Sequence, residues 1–570
     1  MVKNESKHLD RCLSSLFPVL EALESELIIV DTGSTDNTVA IAKRYTDKVY
    51  YHEWTHDFGE MRNIVLGYTS GKWFFYLDGD EVLADPSGVI EFFKSGRHKG
   101  YNCAFIGMRN VFSKESEDAY GVFQALRFFR NDSNFHFKGI VHEQPQARGP
   151  IAKIGGEIIH YGYVNDDKEL MEYKFKRNVQ LLERALQEES DNIYHLFQLS
   201  QSYGMYDKYE EALQPILKAY DVAKDTGLAD YVYVVNQLAN VYNHNKMYRE
   251  AETICREGLQ LRQDNIDLYY FLAFAQLELG KFERAVISFK RYLALVDDYH
   301  LGDIKFNLSI DYKTISESQK VYGALCALNA KLGQPGEALK YGNMITSPKV
   351  LKNAIPSMVD IYLKEGRFCD LRKLHSKWGH DMLVCGTIET AIEASRMFMG
   401  LDARKQLSLS FADEETFYGL LHIARNDYYG QGSEISARAW EQLSNFDLGG
   451  REAYYGDILF MLIRHRQRVF QALKHTRNDR ISGFIVYLLQ SYEDAKDILV
   501  GYVTDTTNWN CDDGDLAQAR RFITAISYGL LHDDELTDEE YLRLFHTYIE
   551  CGTDFIELSY RPEVLDGGMA

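Results

Sequence analysis

Apolar and polar positions follow two regimes along the chain. Up to about residue 165, short apolar runs alternate with amphipathic helical patterns. Leu27-Ile28-Ile29-Val30-Asp31 and Trp73-Phe74-Phe75-Tyr76-Leu77-Asp78 are continuous apolar runs that end in an acid, the pattern of buried strands. Weaker strand patterns cover 49–52, 103–108, 126–129 and 158–161, and helices are predicted over 7–23, 36–45 and 59–68. Ser34-Thr35-Asp36 supplies N-cap chemistry for the second of these helices. Strand–helix alternation of this kind predicts an α/β domain with a mostly parallel sheet covered by helices on both faces. Ligands of such sheets bind beyond the carboxyl ends of the strands, where the pattern puts Asp31 and Asp78.

From about residue 168 the strand signal nearly vanishes and a repeat takes its place. Leu199, Tyr203, Tyr209 and Ala212 recur at the same offsets as Leu238, Tyr242, Tyr248 and Ala251, and as Leu272, Gln276, Phe282 and Ala285. Weaker copies end at Ala338 and Leu371. Successive marker positions lie 39, 34, 53 and 33 residues apart. A period near 34, with a small residue where two helices cross and an aromatic three before it, resembles the tetratricopeptide repeat. The longer gaps imply extended helices or an insertion, such as 300–318. Residues 391–570 keep a helical pattern but lose the repeat. The expected domains are therefore 1–165 (α/β), 166–390 (helical repeats) and 391–570 (helical C-terminal region).

Composition narrows the function. The 570 residues are 45% apolar and 26% charged, an ordinary globular balance. A formal net charge of −21 argues against a nucleic-acid partner, whose phosphates need a basic surface. No apolar run approaches a membrane span and no signal peptide opens the chain. Eight scattered cysteines with no CxxC pairing fit a reducing cytoplasm better than a disulfide framework. The loop 509–515 lacks the twelfth-position ligand of a calcium hand. The acidic run 533–540 reads as a solvated helix start.

The sharpest chemistry lies in Asp78-Gly79-Asp80-Glu81, directly after an apolar strand. Two acids separated by one small residue on a tight turn can present both carboxylates to one hard cation, with phosphate oxygens and water in the remaining positions. Asp31, in a Thr-Gly-Ser-Thr turn, can accept from a base or ribose donor. Arg62, early in a helix, can neutralise a diphosphate bidentately.

Val2-Lys3-Asn4-Glu5, the run from Asp31 to Asp36, Phe58 with Arg62-Asn63, and Asp78 to Glu81 occur in the order and spacing of family-2 glycosyltransferases, which this part of the chain resembles. The fusion to helical repeats resembles a bacterial subgroup that glycosylates proteins or peptides, flagellin-like and bacteriocin substrates among them. The resemblance covers about 1–165. It implies a GT-A fold (Rossmann-like), an inverting reaction, a UDP-sugar donor such as UDP-glucose or UDP-N-acetylglucosamine, and a manganese or magnesium ion. It implies that Lys3, Asn4 and Asp31 line the nucleoside pocket and that Arg62 faces the diphosphate. Asp78 would touch ribose or metal, Asp80 would be the main metal ligand, and His160 would complete the metal shell.

An inverting displacement on a hydroxyl acceptor needs a base. Glu143, in Gly139-Ile140-Val141-His142-Glu143, is the first choice, with His142 positioning it or the acceptor; Asp57 and Glu81 are weaker candidates. The repeats would hold a protein or peptide acceptor in a concave groove, their tyrosines serving as core residues or as stacking surfaces. A transferase for cell-surface polysaccharide or lipid-linked glycan, and a non-catalytic repeat scaffold with a decayed domain, are the alternatives. Helical C-terminal segments often mediate dimerisation, so a homodimer is one arrangement the sequence allows. The family normally has an apolar strand ahead of the Val-Lys-Asn-Glu segment, where this sequence has only Met1; the expectation is that about five upstream apolar residues have been trimmed.

Overall fold

The computed structural model describes residues 1–111, 120–162, 168–301, 312–431, 434–467, 469–505, 516–531 and 536–551. The loop 509–515 and residues 533–535 of the acidic run lie outside them. The chain divides into two compact units, Met1–Ile345 and Thr346–Ala570.

The first unit opens with the α/β part. Helices α1 (Leu9–Ser14) and α2 (Phe17–Ala22) replace the single helix expected over 7–23, because Pro18 sits in the first turn of the second and disfavours helical backbone before it. Strand β1 (Ile29–Asp31), helix α3 (Thr38–Ala42), strand β2 (Val49–Tyr51) and helix α4 (Phe58–Gly67) follow. Strands β3 (Trp73–Phe75) and β4 (Glu81–Asp85) flank the Asp78–Asp80 turn, and helix α5 (Ser87–Lys94) comes next. The long strands β5 (Cys103–Val111) and β6 (Tyr120–Arg130), the two-residue strands β7 (Phe137–Lys138) and β8 (Gln144–Pro145), and β9 (Ile151–His160) complete it.

The sheet is mixed rather than mostly parallel. Its five strands run β3-β6-β5-β9-β4, and only β5 and β9 pair in parallel. The eight residues between β5 and β6 are too few for the crossover that a parallel pair needs. The parallel element expected around Asp31 is a separate pair, β1 with β2. Val2 extends it: its N–H donates to Val30 (2.9 Å) and its carbonyl accepts from Thr32 (3.0 Å). One apolar core, including Phe92, Ala104, Ile106, Phe128 and Ile158, fills the space between this sheet and helices α2 and α5.

Helices α6 (Lys168–Glu188), α7 (Ile193–Gly204), α8 (Tyr209–Thr226), α9 (Val232–His244), α10 (Tyr248–Leu261), α11 (Ile266–Glu278), α12 (Phe282–His300), α13 (Ser318–Lys331) and α14 (Pro335–Met344) make up the rest of the unit. Ala212, Ala251, Ala285, Ala338 and Leu371 are all fully buried, as the repeat demands. Five residues before each marker stands a left-handed residue: Asp207, Lys246, Gly280, Gly333 and Gly366. The next N–H in each case donates to the carbonyl five residues back (Lys208 to Tyr203, Met247 to Tyr242, Lys281 to Gln276, Gln334 to Asn329, Arg367 to Tyr362). This is the Schellman closure of a helix end. The same bond recurs after Gly430 and Arg466, so the helix–turn device continues where the alanine and aromatic markers have gone.

Between α12 and α13, the segment from Tyr312 fastens the helices to the sheet. Tyr312 and Val122 of β6 exchange backbone hydrogen bonds, and the Ser316 hydroxyl bridges both backbone groups of Tyr120. Asp267, buried on α11, accepts from the N–H groups of Lys313 and Thr314 and from the Thr314 hydroxyl.

The second unit is all helical and carries a buried ionic cluster. Arg425, fully buried, donates to both oxygens of Glu393 (2.8 and 2.6 Å) and to Asp457 (2.6 Å). Arg396 adds a bond to Glu393 (3.0 Å), and the Tyr418 hydroxyl another (2.7 Å). Burial opposes charge on Glu393, but the two guanidiniums outweigh it and hold the carboxyl well below the usual range. Among the described residues no helix is long and apolar enough to cross a membrane.

Candidate active site

The acidic turn after β3 is held from both sides by buried arginines. Arg62, on α4, donates through Nη2 to Asp78 (2.5 Å) and through Nε to Glu143 (2.8 Å). Arg127, on β6, donates to Glu81 (2.6 Å) and lies 3.7 Å from Asp78. Both guanidiniums lie over the Tyr76 ring, at 4.2 Å and 4.3 Å from its centroid, cation–π contacts that help one pocket hold two like charges. Burial opposes ionisation of Asp78, yet Arg62 and Arg127 keep it well below the ordinary carboxylate range. Asp78 is therefore ionised at neutral pH.

Glu81 is only 2% exposed; besides Arg127, it accepts the Asp78 backbone N–H at 2.9 Å. Its lone pairs go to the protein, so it braces the turn rather than serving as a base. Asp57 caps α4, accepting the Glu60 N–H at 2.9 Å. The two weaker base candidates thus have structural work.

Sheet register brings the remaining acid to the late histidine. Glu81 pairs with His160 across β4 and β9, and Tyr161 N–H donates to the Asp80 carbonyl (3.1 Å). The Asp80 carboxylate then stands 3.6 Å from His160 Nε2. Asn110, opposite His160 on β5, holds His160 Nδ1 at 2.9 Å. Nε2 is the nitrogen turned toward Asp80, which raises the imidazole pKa against the effect of burial; with Nδ1 donating to Asn110, the neutral ring would offer a metal its Nε2 lone pair. Gly162 lets both side chains close in on the backbone: a Cβ there would lie 2.4 Å from His160 Nε2 and 2.5 Å from Asp80 Oδ2. Glu5 packs against Gly79, and burial together with the Asp80 charge pushes its carboxyl up to about 7. Excess negative charge at one corner calls for a cation.

That corner fits a divalent ion bound with a diphosphate. Among the described residues no three ligand side chains converge. Two protein donors, Asp80 and His160, with phosphate oxygens and water completing the shell, are what magnesium or manganese takes in such sites.

The residues expected on the nucleoside side lie on one hydrogen-bonded turn. The Asp31 carboxylate, 5% exposed, accepts from the N–H groups of Gly33 and Ser34, both at 3.1 Å. Asn4, left-handed at φ 55°, donates its N–H to the Ser34 hydroxyl (2.9 Å) and accepts from Thr35 N–H (2.8 Å). Lys3 is exposed beside it.

The loop with His142 and Glu143 is tied to α4. Phe58 and Gly59 N–H donate to the carbonyls of Ile140 and Gly139, and the Asn63 amide exchanges two bonds with the Phe137 backbone. Gly59 is required there, since a Cβ would come within 2.7 Å of the Gly139 carbonyl. Glu143 lies against Arg62 with its side chain 12% exposed. Burial, helped by the charges of His195 and Arg177, lowers the His142 pKa to about 4. It is neutral at physiological pH.

The residues singled out in the sequence thus gather in three connected groups: Asp31 with Asn4 and Lys3; Asp78 with Arg62 and Glu143; Asp80 with His160. Arg62 faces two carboxylates of its own chain. Arg127 and Asn110 stand beside these groups without having been singled out in the sequence, and Tyr76 and Glu5, there only as parts of longer runs, pack against them. A lone arginine inside Leu126-Arg127-Phe128-Phe129 was the one available signal, because a cation in an apolar strand must have a partner.

Residues 1–147 match the family model described as Glycosyl transferase family 2. The chain is 29% identical over 294 residues to the SPbeta prophage-derived glycosyltransferase SunS of Bacillus subtilis, across 49% of this chain and 62% of that one. It therefore spans less than two thirds of the length of the curated relatives it matches first. A TPR repeat-containing protein of Synechococcus elongatus is 29% identical over 178 residues, 29% of this chain and 42% of that one. Among solved structures, MamA aligns with 34% of this chain and 95% of its own at 14% identity and a TM-score of 0.25.

Proposed function

We propose that this chain, whose residues 1–147 form a family 2 glycosyl transferase domain, transfers a sugar with inversion from a UDP-sugar to a protein or peptide acceptor held by its helical repeats. The observation that carries this reading is the Asp80–His160 corner beside the Arg62-bridged pair Asp78 and Glu143.

In this reading the Asp31 turn receives the nucleoside and Asp78 the ribose. Asp80 and His160 hold the manganese or magnesium ion, which when bound neutralises the departing diphosphate. Glu143 takes the acceptor hydroxyl proton as the oxygen attacks the anomeric carbon from the face opposite the diphosphate. Arg62, bonded to both carboxylates, fixes the distance of Glu143 from Asp78, a positioning role in place of direct diphosphate contact. His142, neutral at physiological pH, positions Glu143 or the acceptor and supplies no charge.

Two measurements test the proposal. Purified protein with manganese should hydrolyse UDP-glucose or UDP-N-acetylglucosamine slowly, and mass spectrometry of a deletion strain should show proteins lacking a hexose or N-acetylhexosamine that the parent carries. Binding and hydrolysis of neither nucleotide sugar would favour a non-catalytic scaffold. Loss of glycan from surface polysaccharide alone would move the acceptor from protein to glycan.

A further inference from the structure

We infer that helices α6 and α7, the first of the helical array, are part of the catalytic centre: they position the loop that carries Glu143. The inference rests on the reading of Glu143 as the base and deepens it.

That loop has little structure of its own. Strands β7 and β8 pair through two residues each, Phe137 with Pro145 and Lys138 with Gln144. Between them Gly139 and His142 are left-handed, at φ 106° and 50°, and for histidine that backbone is strained. Such a conformation persists only where its surroundings impose it. The α4 side supplies the hydrogen bonds already described.

The other side is the helical array. Val141, adjacent to His142 and 2% exposed, packs in one cluster with Phe175, Val179 and Leu182 of α6 and Leu199 of α7. Phe58 of α4 joins this cluster, and the Arg177 guanidinium lies 5.2 Å from its ring centre. Tyr194, near the start of α7, has its hydroxyl within reach of the side chains of Gln198 and of Gln144, the residue that follows Glu143. His142 Nε2 and His195 Nδ1 are buried without a hydrogen-bond partner among the described residues. The base-bearing loop is therefore clamped between the domain and the array, and the array fixes where the Glu143 carboxylate stands. Leu182 and Tyr194 are positioning residues for this base.

The test uses the full chain, with UDP and UDP-glucose as probes. Leu182→Ala empties the middle of the clamp, Leu182→Met refills it, and Tyr194→Phe removes one hydroxyl. In manganese-dependent UDP-glucose hydrolysis, kcat should fall about tenfold for Leu182→Ala and be restored by Leu182→Met. It should fall about threefold for Tyr194→Phe. KM for UDP-glucose and calorimetric Kd for UDP should stay within about twofold, because the donor groups lie on other elements. Hydrogen exchange over 137–145 should quicken in Leu182→Ala while that over 73–83 does not change. Unchanged kcat and unchanged exchange in a folded Leu182→Ala protein would overturn the inference. If Leu182→Ala fails to fold, Tyr194→Phe decides: wild-type hydrolysis there overturns it. If the parent protein binds no UDP, the functional reading fails while the exchange experiment still judges the clamp.

Discussion

Gly162→Ala separates the metal corner from the fold around it. The added Cβ would sit 2.4 Å from His160 Nε2 and 2.5 Å from Asp80 Oδ2, against an ordinary contact of 3.4 Å or more. Both neighbours are the ends of side chains, so each must swing away by about 1 Å, at a conformational cost below about 1.5 kcal/mol. A metal shell is less forgiving, because ligand distances must hold to within about 0.2 Å. The variant should unfold at nearly the wild-type denaturant midpoint yet bind manganese about 10–100-fold more weakly in the presence of UDP. Titration of manganese followed by electron paramagnetic resonance reads the affinity, and a urea curve reads the stability. Wild-type manganese affinity in Gly162→Ala would refute the assignment of Asp80 and His160 as a ligand pair.

Other substitutions probe other parts. Arg62→Met leaves Asp78 and Glu143 without their shared cation; urea denaturation should show a loss of about 3 kcal/mol, the low end of the range for broken buried pairs because Asp78 is 36% exposed. Glu393→Gln in the second unit leaves the buried Arg425 and Arg396 to share the carboxylate of Asp457, and should destabilise that unit by about 3 kcal/mol in the same assay. The lowered His142 pKa has a definite sign: unfolded protein takes up a proton near the ordinary value of 6.5, folded protein only near 4. Stability from this group is complete above about pH 6.5 and is lost as pH falls toward 4. His142→Gln should remove that increment from the acid limb of a stability–pH curve.

Much of the architecture was legible because it follows from local pattern. The apolar runs before Asp31 and Asp78 announced β1 and β3, and the marker positions announced fully buried helix crossings. Pairing direction was not legible. The sheet's mixed order depends on which strands meet, and β5 to β6 is set by the length of their connection. Pro18 was visible, but the helical period around it concealed the break. In the second unit the Schellman turns persist at Gly430 and at Arg466, and a left-handed arginine gives no signal in a single sequence. Within the site, acids were easy to find because they cluster after apolar strands. Their partners were not, since Arg127 and Asn110 lie on strands distant in sequence and only register brings them to Glu81 and His160. Glu81 and Asp57 looked like spare acids until their hydrogen bonds were known.

The central claim is that one divalent ion at Asp80 and His160 meets the diphosphate of a nucleotide sugar beside Asp78 and Glu143. Crystals grown with manganese and UDP, measured at a wavelength where manganese scatters anomalously, test it directly. The account predicts a single strong anomalous peak within bonding distance of Asp80 and His160, with the uracil near the Asp31 turn. A peak elsewhere, or UDP bound away from this corner, would contradict it.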